Sequence, residues 1–190
     1  MKIVCLLGSP RPGGNSATIA RHFLKTAEGL GAQTSTFELN RLTYRGCQGC
    51  YACKTRTDRC VVQDDLTGVL EAVSDADLLL LATPVYYGDV TGQLKSFIDR
   101  TFSFLKPDFH TNPEPARLEP GKTLVFVITQ GNQDEAKFAD VFPRYDAFLK
   151  WFGFAESHLI RACGVSQLTT AEVLAPWLRQ AEETAHQVMA

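Results

Sequence analysis

The sequence is short of everything that would take a protein to a bilayer or a nucleic acid. No apolar stretch is long enough to cross a membrane. The 19 basic and 21 acidic residues leave a formal charge of −2, and the basic residues are scattered rather than gathered into a run. This removes the electrostatic case for nucleic acid or an anionic membrane surface. There is no tandem repeat and no low-complexity segment. Lys2 and the short apolar run after it lead straight into a Gly/Pro loop, which is not the build of a signal peptide. The expectation is a cytoplasmic protein, a setting in which structural disulfides are rare. Two nucleotide fingerprints are also missing. The first loop is not G-x-x-x-x-G-K-[ST], so no lysine awaits a β/γ-phosphate, and it is not G-x-G-x-x-G.

What is present is an ordinary globular composition, 45% hydrophobic and 21% charged over 190 residues. That length suits one core better than two, so residues 1–190 are read as one domain. Apolar runs and helical periods alternate along it. Strands are expected at 2–7, 33–39, 77–82, 123–129 and 154–162. Helices are expected at 16–30, 65–73, 92–105, 135–152 with a kink near Pro143, and 170–189. Two stretches interrupt the alternation: a cysteine-rich insertion at about 40–64, and a loop at about 106–121 holding four prolines. Five strand–helix alternations imply a doubly wound parallel sheet with helices on both faces, an α/β fold. Ligands of such sheets lie beyond the carboxyl ends of the strands.

Three unusual loops converge on that edge. After strand one, residues 8–17 read GSPRPGGNSA. Backbone N–H groups, the positive end of a helix dipole, the neutral donors Ser9, Asn15 and Ser16, and the fixed charge of Arg11 suit one terminal monophosphate. After strand three comes TPVYYG, residues 83–88. Its adjacent tyrosines offer an aromatic wall to a flat conjugated ring, and Gly88 lets backbone approach closely. After strand four comes QGNQDE, residues 130–135.

GSPRPGGNS together with TPVYYGDVTGQLKSFIDR resembles the flavodoxin-like NADPH-dependent FMN reductase family over nearly the whole chain. The resemblance implies a five-stranded parallel sheet in the order 2-1-3-4-5 and bound FMN. Carried across, Ser9, Arg11, Asn15, Ser16 and Ala17 hold the phosphate. Pro84, Val85, Tyr86, Tyr87 and Gly88 contact the ring, and Thr129, Gln130 and Gly131 close the site by position. No protein acid or base is expected to be essential, so no catalytic side chain is assigned. NAD(P)H is a possible co-substrate. Members of this type pair or form tetramers around the flavin, so a homodimer or homotetramer is expected. The cysteine segment and the proline-rich loop are expected to extend from the ligand edge.

Cys47, Cys50, Cys53 and Cys60 form C-x2-C-x2-C-x6-C. C-x2-C-x2-C is the ligand spacing of bacterial ferredoxins, and a [4Fe–4S] cube needs four thiolates. Zinc also accepts four thiolates, more often from separated pairs, and free or disulfide-forming thiols remain open. Lys54, Arg56 and Arg59 favour thiolate and offset a cluster's charge. The segment resembles the compact cysteine motif of the iron–sulfur flavoproteins, a branch of the same family, which implies a [4Fe–4S] cluster near the FMN. Cys5 reads as a small core residue. His22, His110, His158 and His186 have no ligand spacing.

Four functions are consistent with these residues. One is an FMN oxidoreductase relaying electrons to a [4Fe–4S] cluster, with a ferredoxin or a small molecule as donor or acceptor. The others are a cluster-free NAD(P)H-dependent FMN or quinone reductase, a flavodoxin-type carrier, and a zinc-stabilised binding module. The mild charge argues against the carrier.

Overall fold

A computed structural model of the chain describes residues 1–167 and 169–190. The five strands are β1 (Lys2–Leu7), β2 (Gln33–Glu38), β3 (Leu78–Pro84), β4 (Lys122–Thr129) and β5 (Phe154–Ala162). They form one sheet in the order β2-β1-β3-β4-β5, with every neighbouring pair parallel. That is the flavodoxin-like winding. The helices are α1 (Asn15–Gly29), α2 (Ala52–Thr55), α3 (Leu66–Asp75), α4 (Gly92–Arg100), α5 (Val141–Trp151) and α6 (Ala171–Met189).

The three central strands are apolar through their middles, Ile3–Leu7, Leu78–Ala82 and Leu124–Ile128, because they are covered on both faces. Alternate residues sort between those faces. Ile3, Cys5, Leu7, Leu78, Leu80, Val125 and Val127 pack with α1 and α6, the latter through Leu174, Ala181 and Ala185. Val4, Leu6, Leu79, Leu81, Leu124 and Phe126 pack with Val69 of α3, Leu94 and Phe97 of α4, and Tyr145 and Leu149 of α5. Each fully buried leucine stabilises the fold by about 1.5–3 kcal/mol. Cys5 is part of this core, and burial pushes its thiol up to about 12 despite the opposing charge of Arg21. Among the described residues no helix is long and apolar enough to cross a membrane.

Several boundaries differ from the sequence expectation. The helix expected at 92–105 ends at Arg100 and tightens into a 3₁₀ turn, Thr101–Phe104. There the Thr101 hydroxyl donates to the Ile98 carbonyl and that of Ser103 to the Arg100 carbonyl. The helix expected from 135 begins at Val141. The carbonyls of Glu135 and Lys137 accept from Arg161 on β5 instead of from a following helical turn, and Phe138 stands in the left-handed region at φ 63°. Pro143 therefore lies in the first turn of α5, where a missing N–H breaks no helical bond, so the kink has no cause. The segment 40–64 is not wholly irregular, since it contains a 3₁₀ turn at Leu39–Arg41 and the single turn α2.

The cysteine segment starts at the ligand edge, where Asn40 and Arg41 lie against the first loop, but then leaves it, and the proline-rich loop lies away from that edge. α4 starts beside the first loop at the ligand edge and runs away from it. Tyr44 donates to the Gln93 carbonyl in its first turn, at 2.9 Å. The cysteine excursion then packs against its last turn and the 3₁₀ turn. The proline-rich loop pairs there through Leu105 and Ala116. The nine residues of α4 therefore stand between this region and the ligand edge, a rise of about 13 Å.

Thr91 joins α4 to the first loop. Its hydroxyl donates to the Gly8 carbonyl at 2.7 Å and accepts the Leu94 N–H at 3.3 Å as the helix cap, while its own N–H donates to the buried Thr83 hydroxyl at 3.1 Å. Gly8 has no room for a side chain, because a Cβ there would meet the Leu94 Cβ at 2.9 Å. Thr91→Val is expected to lower stability by about 2–3 kcal/mol, from a lost cap of about 1 kcal/mol and a buried carbonyl left unpaired. Urea unfolding followed by circular dichroism measures this. A loss under about 0.5 kcal/mol, the range of neutral surface changes, would show that the junction is not under load.

Candidate functional site

The carboxyl edge of the sheet holds a cavity of about 440 Å³, lined by four connections. The first loop contributes Ser9, Arg11, Gly14, Asn15 and Ser16. Its shape is set locally. The Ser9 hydroxyl accepts the Arg11 N–H at 3.1 Å, and the Gly14 N–H donates to the Arg11 carbonyl at 3.1 Å. Arg21 reaches back from α1 to the Pro12 carbonyl. Gly14 caps α1 without a side chain. A Cβ on Gly14 would stand 3.0 Å from the Ser9 hydroxyl and 3.3 Å from the Arg11 carbonyl, so the loop closes around a space that a side chain would fill. Ser16 is buried at the start of α1, and Arg11 is exposed at the rim. The cradle joins a helix dipole, small hydroxyls and one cation, which is the donor set for a phosphate. Ala17 is buried behind it and does not line the cavity, so only its backbone N–H is available.

The second connection is a tight hairpin. Tyr86 and Asp89 exchange both backbone hydrogen bonds, 2.8 and 3.1 Å. Tyr87 and Gly88 form the tip, both at positive φ, 51° and 78°, as a two-residue type I′ connection requires. Two side chains on α5 hold its base. The Tyr145 hydroxyl donates to the Asp89 carboxylate at 2.7 Å, and Arg144 lies 3.2 Å from it. Burial, reinforced by Asp89, pushes the Tyr145 phenol above its usual range. The Phe138 ring packs on Gly88, where a Cβ would meet it at 3.3 Å. Pro84, Val85 and Tyr86 line the cavity. Pro84 is the last residue of β3 rather than a loop residue. Tyr87 is fully exposed at the tip, and neither it nor Gly88 reaches the cavity wall.

Thr129 and Gly131 line the cavity after β4. Gln130 between them turns away. Its amide donates to the Asn132 and Asp134 carbonyls and accepts from Arg161 at 2.8 Å, so it shapes the loop behind the wall. The fourth connection, after β5, supplies Val165, Ser166 and Gln167. Sequence reasoning missed it. The available signal was its place, directly after a strand at the same edge and opened by Gly164 at φ 72°. The Asn15 amide ties it to the first loop through the Ser166 carbonyl, at 2.8 Å.

A second cavity, about 400 Å³, is lined by Cys47, Cys50, Cys53 and Cys60 together with Tyr51, Asp99, Arg100, Phe102 and Ser103. It shares no lining residue with the first. Tyr51 turns the chain at φ 55° just before α2. Cations fasten the segment by its carbonyls. Lys54 donates to the Phe102 and Leu105 carbonyls and lies over the Phe102 ring at 4.1 Å. Arg117 donates to the Cys53, Asp58 and Ser103 carbonyls at 2.7–2.9 Å. Burial lowers the Lys54 ammonium below the usual lysine value, partly opposed by Cys53. Among the described residues no three of His, Cys, Asp or Glu are grouped closely enough for one metal ion. Tetrahedral zinc brings its sulfurs within about 4 Å of each other, whereas a cubane holds its thiolates apart around four irons. The four thiols share the wall of one cavity without closing on a common point.

A doubly wound parallel sheet with a phosphate cradle and an aromatic hairpin at its carboxyl edge defines a mononucleotide-binding α/β protein. Residues 1–140 match the family described as NADPH-dependent FMN reductase, and the chain belongs to that family. It is 36% identical over 101 residues to an iron-sulfur flavoprotein of Methanocaldococcus jannaschii, covering 53% of this chain and 52% of that one. It is 35% identical over 109 residues to an iron-sulfur flavoprotein of Methanosarcina thermophila, covering 57% and 56%. The chain spans about half the length of the curated relatives it matches. In fold it resembles an FMN-dependent NADH-azoreductase from Bacillus anthracis in complex with FMN, with a TM-score of 0.77, 15% identity, and 100% and 99% of the chains covered. It also resembles an NAD(P)H:quinone oxidoreductase from Methanothermobacter marburgensis, with a TM-score of 0.77, 16% identity, and 99% and 96% covered.

Proposed function

We propose that the protein is an FMN-dependent oxidoreductase that relays electrons between FMN at the carboxyl edge and a [4Fe–4S] cluster held by Cys47, Cys50, Cys53 and Cys60. The observation that carries the flavin half is the single cavity in which a phosphate cradle faces the Pro84–Val85–Tyr86 wall. Ser9, Arg11, Ser16 and the first N–H groups of α1 hold the phosphate. Pro84, Val85 and Tyr86 flank the ring, with Thr129 and Gly131 opposite. FMN, when bound, accepts two electrons together and releases them singly, and a cluster accepts one. The protein's part is to place the two groups, exclude water behind the apolar wall and set their potentials through hydrogen bonds and charge. Lys54 and Arg117 supply positive charge beside the four thiols, and neither has a carboxylate partner among the described residues. The donor is NAD(P)H or a ferredoxin. The working protein is a cytoplasmic homodimer or homotetramer assembled around the flavin.

The second reading is a cluster-free NAD(P)H-dependent FMN or quinone reductase. What favours it is the separation of the two cavities, since the flavin edge owes no residue to the cysteines.

The protein purified without oxygen is expected to be brown, with one FMN and about four irons and four acid-labile sulfides per chain. NADPH added anaerobically bleaches the flavin if the nicotinamide is the donor. A yellow protein without iron selects the reductase reading. A colourless protein that stays colourless with added FMN overturns both.

A further inference from the structure

We propose that Arg161, which takes no part in the cavity wall, holds the flavin ring site in shape before the ring arrives. The inference rests on the flavin reading above. Arg161 lies near the end of β5. Its neighbours Ile160 and Ala162 face α1 and α6, so its own side chain leaves from the opposite face of the sheet. There it meets the connection after β4. Nη1 donates to the Glu135 carbonyl at 2.9 Å, and Nη2 donates to the Gln130 side-chain carbonyl at 2.8 Å and to the Lys137 carbonyl. None of these three acceptors is a carboxylate, so the contact is not an ion pair. A planar fork with fixed donor directions instead pins one loop at three points.

The loop has little else to order it. Residues 130–140 belong to no strand or helix, and 131–137 are exposed, so core packing contributes little there. Three of the four connections around the cavity depend on its position. The third supplies Thr129 and Gly131 to the wall, on either side of the Gln130 that Arg161 takes. The fourth is stitched to the third, since the Gly164 N–H donates to the Asn132 carbonyl and the Val165 N–H to the Gln130 carbonyl, both at 3.0 Å. The second follows through Phe138, whose ring lies against Gly88 of the hairpin. Phe138 stands at φ 63°, a conformation that bulky side chains rarely adopt, and Arg161 fixes the carbonyl of Lys137 just before that turn. Ordering a loop in advance removes its entropy cost from binding. Arg161 is therefore a positioning residue that raises affinity for the ring from outside the wall.

The test titrates FMN and riboflavin into the flavin-free protein and records the visible circular dichroism of the bound flavin. Arg161→Lys keeps the charge but cannot reach three acceptors at once. It is expected to weaken both flavins about tenfold, with the ratio of their affinities unchanged, and to diminish the circular dichroism of the bound ring. A residue that only stabilises the fold would lower the melting temperature and leave both dissociation constants and the dichroism as in wild type, and that result overturns the proposal. Loss of affinity for FMN alone would put Arg161 at the phosphate and overturns it as well. If Arg161→Lys does not fold, Phe138→Gly decides alone. Glycine accepts the same φ, so the change removes only the ring from Gly88, and it is expected to weaken both flavins about threefold. Unchanged constants sink the idea. Wild-type protein that binds neither flavin overturns the flavin reading itself, whereas wild-type binding with unaltered variants overturns only the role given to Arg161.

Discussion

Cys50→Ser is expected to strip the protein of iron while leaving FMN bound. A cubane needs four thiolates, and a serine hydroxyl remains protonated at neutral pH and is a poor ligand for the soft iron–sulfide core. Iron should fall from about four per chain to well under one. The flavin should stay because the two cavities have no wall in common. Cys50 is itself exposed, so its replacement costs no core packing. The fold should be retained, with unchanged far-UV circular dichroism, while the melting temperature falls relative to the iron-loaded wild type because the bound group no longer stabilises the native state. The checks are iron and sulfide analysis and the flavin absorbance of the same sample. Retained iron means that Cys50 is not a ligand. Equal loss of FMN and iron means that the nine residues of α4 couple the sites rather than separate them.

That separation was not legible in the sequence, whereas the sheet largely was. β1, β3 and β4 each carry an apolar run of five residues because both of their faces are covered. Gly153 marks the end of α5 in the sequence and stands at φ 98° in the structure. The cradle, too, was readable, because a phosphate loop is built from neighbours: Ser9, Arg11 and Gly14 bond one another within six residues. What escaped the sequence depends on partners far along the chain. The start of α5 is displaced by Arg161, a residue 24 to 26 positions from the carbonyls it takes. Nothing in the sequence around Arg100 marks it as a buried, paired cation. Its spacing from Leu94 and Phe97 puts it on the inward face, but only the return of Asp64, 36 residues away, makes that burial tolerable. The position of Gln130 between two lining residues pointed it at the ligand, and its hydrogen bonds turn it to the scaffold instead. Local chemistry showed where a ligand is held. Long-range pairing decided which way individual side chains face.

The cradle makes the sharpest separate claim. Gly14→Ala is expected to weaken FMN binding about a hundredfold and to leave riboflavin binding nearly unchanged. The backbone at Gly14 is extended, φ −68° and ψ 159°, a conformation open to any residue, so alanine brings no strain of its own. The added Cβ stands 3.0 Å from the Ser9 hydroxyl and 3.3 Å from the Arg11 carbonyl. Ser9 must turn aside, and with it goes the bond that fixes Arg11. The phosphate then loses a hydroxyl, the placement of a guanidinium and part of its space. Hydrogen bonds to a charged group contribute about 1.5–3 kcal/mol each, and about 2.7 kcal/mol corresponds to a hundredfold in Kd. Riboflavin has no phosphate and touches the cradle little, so its affinity measures the ring wall alone. Fluorescence quenching of both flavins on the flavin-free protein gives the two constants. If the substitution weakens riboflavin as much as FMN, the loop after β1 shapes the ring site and the phosphate lies elsewhere. If it weakens neither, the space beside Gly14 is not where the flavin is held.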